Sequence, residues 1–305
     1  MHPTIDLLRA RAARRSRPPH GDGASIALAV EGGAMRGVVS AGMVSALEAL
    51  GMIEAFDAVY GSSAGAINAA YFLAGQAALG TTIYYEDINN RRFIDLRRSI
   101  VGRPILNLAF LIDDVARRRK PLDVDRVLAS PSPLAVLATD VATCAPVVLR
   151  GFRDGRDLLA AMRAGATMPI VAGRPSPYLD QRCFDASLTE PIPVPTAEAD
   201  GHTHVLALLT RPRETPRRTT MFDRVYVLPR LRRISPALAA RYVDRGQPYT
   251  ALLDRIAAGT GPLGRAQVLG IRPDPPVVNK LECDAAMLRQ AAARGFDAVM
   301  RAWRG

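Results

Sequence analysis

Five consecutive apolar residues, Ile26-Ala27-Leu28-Ala29-Val30, open the patterned part of the chain. A short apolar run without polar alternation reads as a strand covered on both faces. A Gly-rich turn, Glu31 to Gly37, follows at once. Val38 to Leu50 is then helix-length and mostly apolar, and Gly51 stands where a C-terminal cap glycine belongs. The form repeats, with Phe56 to Tyr60 as strand, Gly61 to Gly65 as turn, and Ala66 to Ala74 as a helix closed by Gly75. Two strand–turn–helix units in succession predict a parallel sheet with helical crossovers. Ala58 to Tyr85 carries no charge and is long enough to span a bilayer. Its four glycines, with Ser62, Ser63, Asn68 and Gln76, make it too polar for lipid, so a buried segment is expected.

Further along, residues 81–133 mix aromatics with basic pairs and the cluster Arg117-Arg118-Arg119-Lys120, and are expected as helices and loops inserted between strands. Leu134 to Thr139, Pro146 to Arg150, Val205 to Thr210 and Ala266 to Ile271 read as strands; Leu158 to Gly165 and Asp284 to Trp303 read as helices. A Pro/Arg-rich loop begins at Arg211. The expected organisation is a flexible Arg-rich arm over 1–24, helical at most from Ile5 to Arg15, a core over 25–212, and a helical lobe with a strand over 213–305, packed on the core.

Composition narrows the class. With 305 residues, 49% hydrophobic and 23% charged, the chain falls outside the disordered, collagenous and disulfide-scaffold classes. Its net charge of +11 rests almost wholly on arginine, since Lys120 and Lys280 are the only lysines. Such a field attracts anionic lipid, nucleic acid or acidic substrates, although a compositional bias with solvated arginines is the plainer source. The arginines are scattered without interleaved aromatics, which argues against nucleic acid. Cys144, Cys183 and Cys283 form no CxxC pair, so neither a zinc site nor a disulfide framework is expected, and a reducing compartment fits. No apolar run backs the N-terminal arginines, so no secretory leader is expected. The expected location is cytoplasmic, with peripheral contact at an anionic membrane.

The chemistry concentrates in Gly61-Ser62-Ser63-Ala64-Gly65, a GxSxG pattern between a predicted strand and a predicted helix. A serine on such a turn projects its oxygen clear of the sheet, and the flanking glycines avoid clashes. A serine hydroxyl needs a base, and its tetrahedral intermediate needs donors for the oxyanion. Gly32-Gly33-Ala34 can supply backbone N–H groups. The loop does not fit a dinucleotide fingerprint, because its glycines fall at 32, 33 and 37, and no Gly-Lys-Ser/Thr of a nucleotide loop occurs. For the base, His204 at the foot of a strand is one candidate, in a Ser–Asp–His order with Asp185. Asp185 itself, at the end of an apolar-flanked strand, is the other.

These residues resemble the patatin-like phospholipases. Glu31-Gly-Gly-Ala-Met-Arg-Gly37 is similar to that family's oxyanion loop, Gly61-Ser-Ser-Ala-Gly65 to its nucleophile elbow, and Asp185-Ala-Ser187 to its Asp-Gly-Gly/Ala block. Ala138-Thr139-Asp140 and Glu190-Pro-Ile-Pro-Val194 extend the likeness over roughly residues 26–212. The resemblance implies a three-layer α/β/α fold with a mainly parallel central sheet. It also implies a lipid acyl-ester hydrolase of phospholipase A or lysophospholipase type, working through a Ser63–Asp185 dyad and an acyl-enzyme. Gly32, Gly33, Ala34, Arg36 and Gly37 would form the oxyanion loop, and Gly61 and Gly65 the elbow, with no cofactor and no metal. The arginine-rich clusters Arg117–Lys120 and Arg230–Arg233 are expected docking points on anionic headgroups.

Two positions depart from the family pattern. Ala34 replaces a third glycine, a mild change if its φ is negative. Ala186 replaces the glycine after the aspartate; if that position needs a positive φ, alanine is strained there. The alternative expectation is therefore a catalytically weak or inactive lipid-binding protein.

Overall fold

The computed structural model describes residues 2–212, 219–276 and 278–304. The Arg/Pro stretch at 213–218 lies outside the described residues. The first half of the chain runs α1 (Pro3–Ala13), β1 (Ile26–Val30), α2 (Val38–Ala49), β2 (Ala58–Ser62), α3 (Ala64–Leu73), α4 (Ala77–Glu86), α5 (Val124–Leu128), β3 (Leu134–Asp140) and β4 (Pro146–Leu149). It continues with α6 (Gly155–Ala166), β5 (Ser176–Tyr178), β6 (Gln181–Asp185), α7 (Val194–Ala199), β7 (His204–Leu208), α8 (Leu228–Ile234), α9 (Pro236–Asp244), α10 (Gly246–Ala257), β8 (Gln267–Ile271) and α11 (Ala285–Arg304). The 81–133 segment holds α4, α5 and a wide helical stretch over Phe110–Arg119 with π-type hydrogen bonding.

All these strands form one sheet in the order β5-β6-β3-β2-β1-β7-β8, with β4 attached to β3. β3, β2, β1, β7 and β8 are mutually parallel. The apolar runs now separate into two faces, because successive side chains of a strand point to opposite sides. Ile26, Leu28 and Val30 of β1, with Val59, Val136 and Leu206, join the larger core beneath α2, α3, α6 and α11. Ala27 and Ala29, with Tyr60, Leu137, Val205 and Val268, join a second core covered by α7 and by Tyr249, Leu253 and Ile256 of α10. The result is a three-layer α/β/α sandwich with a mostly parallel sheet, as the resemblance implied. Among the described residues no helix is long and apolar enough to cross a membrane; the uncharged 58–85 stretch divides into β2, α3 and α4.

Helix α11 lies against α2 at very close range. A Cβ on Gly42 would stand 2.0 Å from the Ala292 carbonyl oxygen, and one on Gly295 would stand 2.1 Å from that of Val39. The first 24 residues differ from the flexible arm expected of them. Ile5 and Leu8 of α1 are buried in the main core. Arg11 is 2% exposed and pairs with both Asp22 and Asp57 at 2.7 Å, and it also donates to the carbonyls of Ala24 and Ala55. One guanidinium thus ties the arm to the foot of the sheet, and burial of its apolar neighbours offsets the entropy of ordering it.

Candidate active site

Sheet register brings the two candidate residues together. The last rung between β2 and β3 pairs Ser62 with Leu137. The next residue of β3, Ala138, pairs with Asp185 of the antiparallel β6. Val136 and Leu137 pair with β2 on one edge and β4 on the other, while Ala138 and Thr139 pair with β4 and β6. β6 therefore takes over the edge of β3 that β2 vacates. Asp185 arrives where the chain leaves β2 through Ser63.

Ser63 has φ 57° and ψ −132°, a sparsely populated backbone state held between the end of β2 and the first turn of α3. Such strain persists only where the surroundings dictate it. Here they do so by close approach. A Cβ on Gly61 would lie 2.3 Å from Ala66 Cα, one on Gly65 2.2 Å from the Val30 carbonyl oxygen, and one on Gly32 2.4 Å from the Ser62 carbonyl oxygen. The Ser62 hydroxyl donates to the Glu190 carbonyl at 2.8 Å, fixing the turn from the other side.

Asp185 has no exposed surface. Its N–H donates to the Thr167 carbonyl and its carbonyl accepts the Thr139 hydroxyl, both within 3.0 Å. Its Oδ1 accepts the Ser187 N–H at 2.7 Å, and its Oδ2 has no hydrogen-bond partner. Burial pushes the carboxyl above the usual aspartate range; the nearby Ser63 hydroxyl, Ser187 and the Lys280 charge draw it part of the way back. The Thr139 and Glu190 blocks thus serve as supports for the turn and for Asp185.

The loop after β1 lies against the same turn, Gly33 and Ala34 lining a space with Ser63. Thr210 donates its hydroxyl to the Gly32 carbonyl at 2.8 Å, so the Gly33 N–H across that planar peptide points the opposite way. The Gly33 carbonyl is taken by the Arg36 N–H. Among the described residues the N–H groups of Gly33 and Ala34 donate to nothing. Gly33 has φ 154°, and Ala34 has φ 52°, in the left-handed region. Ala186 opens a short 3-10 turn and is absent from that region. The conformational strain thus falls on Ala34, the reverse of the expectation. Behind the loop, Asn68 donates to the Gly37 carbonyl and Ser40 to the Glu31 carbonyl. A Cβ on Gly37 would meet Ala64 Cβ at 2.8 Å. Arg36 is buried, its Nε lacks a hydrogen-bond partner, and burial with the nearby Arg211 brings its guanidinium down to about 10.

Two spaces flank Ser63. One is apolar, lined by Ile67, Ile83, Ile88, Phe93, Leu106, Leu108, Leu111 and Met168, and holds about 40 Å3. The other is polar, lined among others by Glu31, Arg36, Arg211 and Lys280. Sequence reasoning missed that Arg211, Lys280 and the apolar wall meet beside Ser63, since nothing local marks residues that meet only after folding. His204 sits at the start of β7, at the opposite end of the sheet from Ser63, with Nδ1 2.9 Å from the Thr203 hydroxyl. Of the expected docking clusters, Arg119 pairs with Asp114, Lys120 pairs with Asp87, and Arg230 stacks on Tyr226. No group of three or more His, Cys, Asp or Glu side chains able to hold a metal occurs among the described residues.

Ligand sites of sheets like this one lie beyond the carboxyl ends of the strands, and here that end carries Ser63, the loop after β1 and both flanking spaces. The architecture is that of an α/β/α protein built around a strand-to-helix serine turn. The family model for patatin-like phospholipase matches residues 28–198, more than half the chain, and the chain belongs to that family. It is also similar to the uncharacterized protein YjjU of Escherichia coli (strain K12), 25% identical over 190 residues, which is 61% of this chain and 52% of that protein. The chain thus spans about half the length of the curated relative it matches.

Proposed function

We propose that the protein is a lipid acyl-ester hydrolase, of phospholipase A or lysophospholipase type, working through Ser63 and Asp185. The observation that carries this reading is the pairing of Ser62 and Asp185 with adjacent residues of β3. The influence of the Ser63 hydroxyl on the buried Asp185 carboxyl, one oxygen of which lacks a hydrogen-bond partner, supports the same reading. Asp185 takes the Ser63 proton as Oγ attacks the ester carbonyl, and the Gly33 and Ala34 N–H groups hold the oxyanion. Collapse breaks the ester C–O bond, and Asp185 returns the proton to the leaving alkoxide. Water then attacks the acyl-enzyme with Asp185 again as base, releasing the acid and restoring Ser63. The positive end of α3 favours the developing negative charge.

The apolar space beside Ser63 takes the acyl chain. At about 40 Å3 it exceeds one water by little, so the wall carrying Ile88, Phe93, Leu106 and Leu108 yields as the chain enters. Between Phe93 and Leu106 runs a loop that exposes Leu96, Ile100 and Val101, Ile100 at 84%, beside Arg97, Arg98 and Arg103. Apolar tips among cations suit the interface of an anionic bilayer, and this loop is the surface contact we infer. Cosedimentation with anionic vesicles that is unchanged by Ile100→Ser/Val101→Ser disproves it.

Ala186 lies outside the positive-φ region, which favours the hydrolase reading over a catalytically weak or inactive lipid-binding protein. The deciding experiment compares wild type with Ser63→Ala and Asp185→Asn on p-nitrophenyl acyl esters of increasing chain length. Turnover by wild type alone is expected; equal turnover by Ser63→Ala removes the dyad from the mechanism.

A further inference from the structure

The polar space beside Ser63 is lined by three cations, Arg36, Arg211 and Lys280, and by one carboxylate, Glu31. Arg36 is 7% exposed and Arg211 9%, and among the described residues neither joins an ion pair. Arg36 Nε has no hydrogen-bond partner at all. Glu31, the carboxylate beside them, already spends one oxygen on the Thr210 N–H at 2.6 Å and the other on the Tyr249 hydroxyl at 2.8 Å. Lys280 lines the same space and exerts its charge on Asp185, while its backbone carbonyl accepts the Met35 N–H and anchors that segment to the loop after β1. Guanidinium groups with little solvent and no ionic partner are costly unless an anion completes them.

We propose that Arg211 and Lys280, with Arg36 behind them, form a subsite for the phosphate of a phosphate-bearing acyl ester. Arg211 and Lys280 are its specificity-determining residues. Both lie beyond residues 28–198, so these two residues come from outside the segment that the family model covers. The polar space holds only about 30 Å3, but it shares Ser187 and Pro191 with a groove of about 580 Å3 between residues 187–195 and α9–α10. The phosphate sits at that junction, with the rest of the headgroup in the groove and the acyl chain on the far side of Ser63. A planar guanidinium fork matches phosphate oxygens in pairs. The subsite's place in a substrate site rests on the Ser63–Asp185 reading; its affinity for phosphate does not.

Two arms separate these. In the kinetic arm, Arg211→Gln, Arg211→Lys and Lys280→Gln are compared with wild type on a soluble short-chain acylglycerol phosphate and on a neutral p-nitrophenyl ester. Loss of a charge-assisted contact is expected to raise KM for the phosphate ester about tenfold more than for the neutral one, with Arg211→Lys partly restored. An equal change on both esters, or none, overturns the proposal. In the calorimetric arm, Ser63→Ala protein is titrated with glycerol 3-phosphate and with inorganic phosphate, with and without Lys280→Gln, a half-buried position whose anchoring backbone carbonyl the exchange leaves in place. Tighter binding of glycerol 3-phosphate identifies a headgroup site, and equal binding identifies a site for phosphate as such; either supports the subsite when Lys280→Gln weakens it. Binding of neither probe, or binding indifferent to Lys280→Gln, overturns it. Should wild type hydrolyse neither ester, the dyad reading fails and the calorimetric arm still decides the subsite.

Discussion

Replacing Ala34 by glycine is expected to stabilise the protein, whereas the same replacement at Ala186 is expected to destabilise it. Ala34 holds φ 52°, where a Cβ costs about 1–2 kcal/mol. Glycine removes that cost and adds about 0.5–1 kcal/mol of freedom to the unfolded chain, leaving a gain of about 0.5–1 kcal/mol. Ala186 has no exposed surface and its methyl belongs to the second core. Deleting it forfeits about 0.8 kcal/mol of burial and adds the same unfolded-state freedom, a loss of about 1.5 kcal/mol. An unfolding entropy of about 2.1 cal/mol/K per residue turns these into shifts of about +1 °C and −2 °C. Scanning calorimetry resolves the opposite signs, and urea midpoints check them at constant temperature. A loss of stability in Ala34→Gly, or a gain in Ala186→Gly, refutes the placement of strain at Ala34.

Three further outcomes are expected. Asp185→Asn removes hydrolysis and raises stability at neutral pH. The folded carboxyl titrates above the ordinary range, so its contribution is full at low pH and falls as pH rises through the folded pKa. Denaturant midpoints taken from the carboxylate range to neutrality should fall more steeply with pH in wild type than in the variant. The background slope from Glu190, raised to about 7 by burial, is common to both, so parallel slopes contradict the assignment. Gly65→Ala places a Cβ 2.2 Å from the Val30 carbonyl and should cost at least about 2–3 kcal/mol, read from soluble yield and urea midpoint; a wild-type midpoint speaks against the tight turn. Arg11→Ala leaves Asp22 and Asp57 without their cation and should cost about 3–5 kcal/mol, and protease resistance of residues 1–24 equal to wild type would count against the anchoring role.

Much of the sheet was legible because its signals are local. β1 with its Gly turn and α2, and β2 with Ser63 and α3, each carry pattern, turn chemistry and cap glycine within about 25 residues. β6 was legible only through Asp185, because a short strand with Gln181 and Arg182 lacks a clean period. α1 read as a mobile arm because its charges suggest solvent, and its anchor, Arg11, finds partners 11 and 46 residues away. Ala34 and Ala186 were ranked in the wrong order of strain because φ follows from how the loop after β1 meets Thr210 and Ser63, not from family composition. Arg211 and Lys280 carry no motif; only the packing of β7 and the last third of the chain against that loop brings them beside Ser63.

The register of β3 makes that strand a ruler for the whole site. Ser62, which leads into Ser63, and Asp185 hang from adjacent marks on one edge of it, Leu137 and Ala138, and neither mark has any chemistry of its own. Deleting a single residue from β3 would shift one carrier against the other by about 3.3 Å and turn side chains to the wrong face. Apolar substitutions of similar volume at those two marks should leave the chemistry intact, while a change in length silences the site without altering any group that meets substrate. Chains related to this one can therefore vary in the letters at those two marks and still share its chemistry, provided that they agree in the count of the strand.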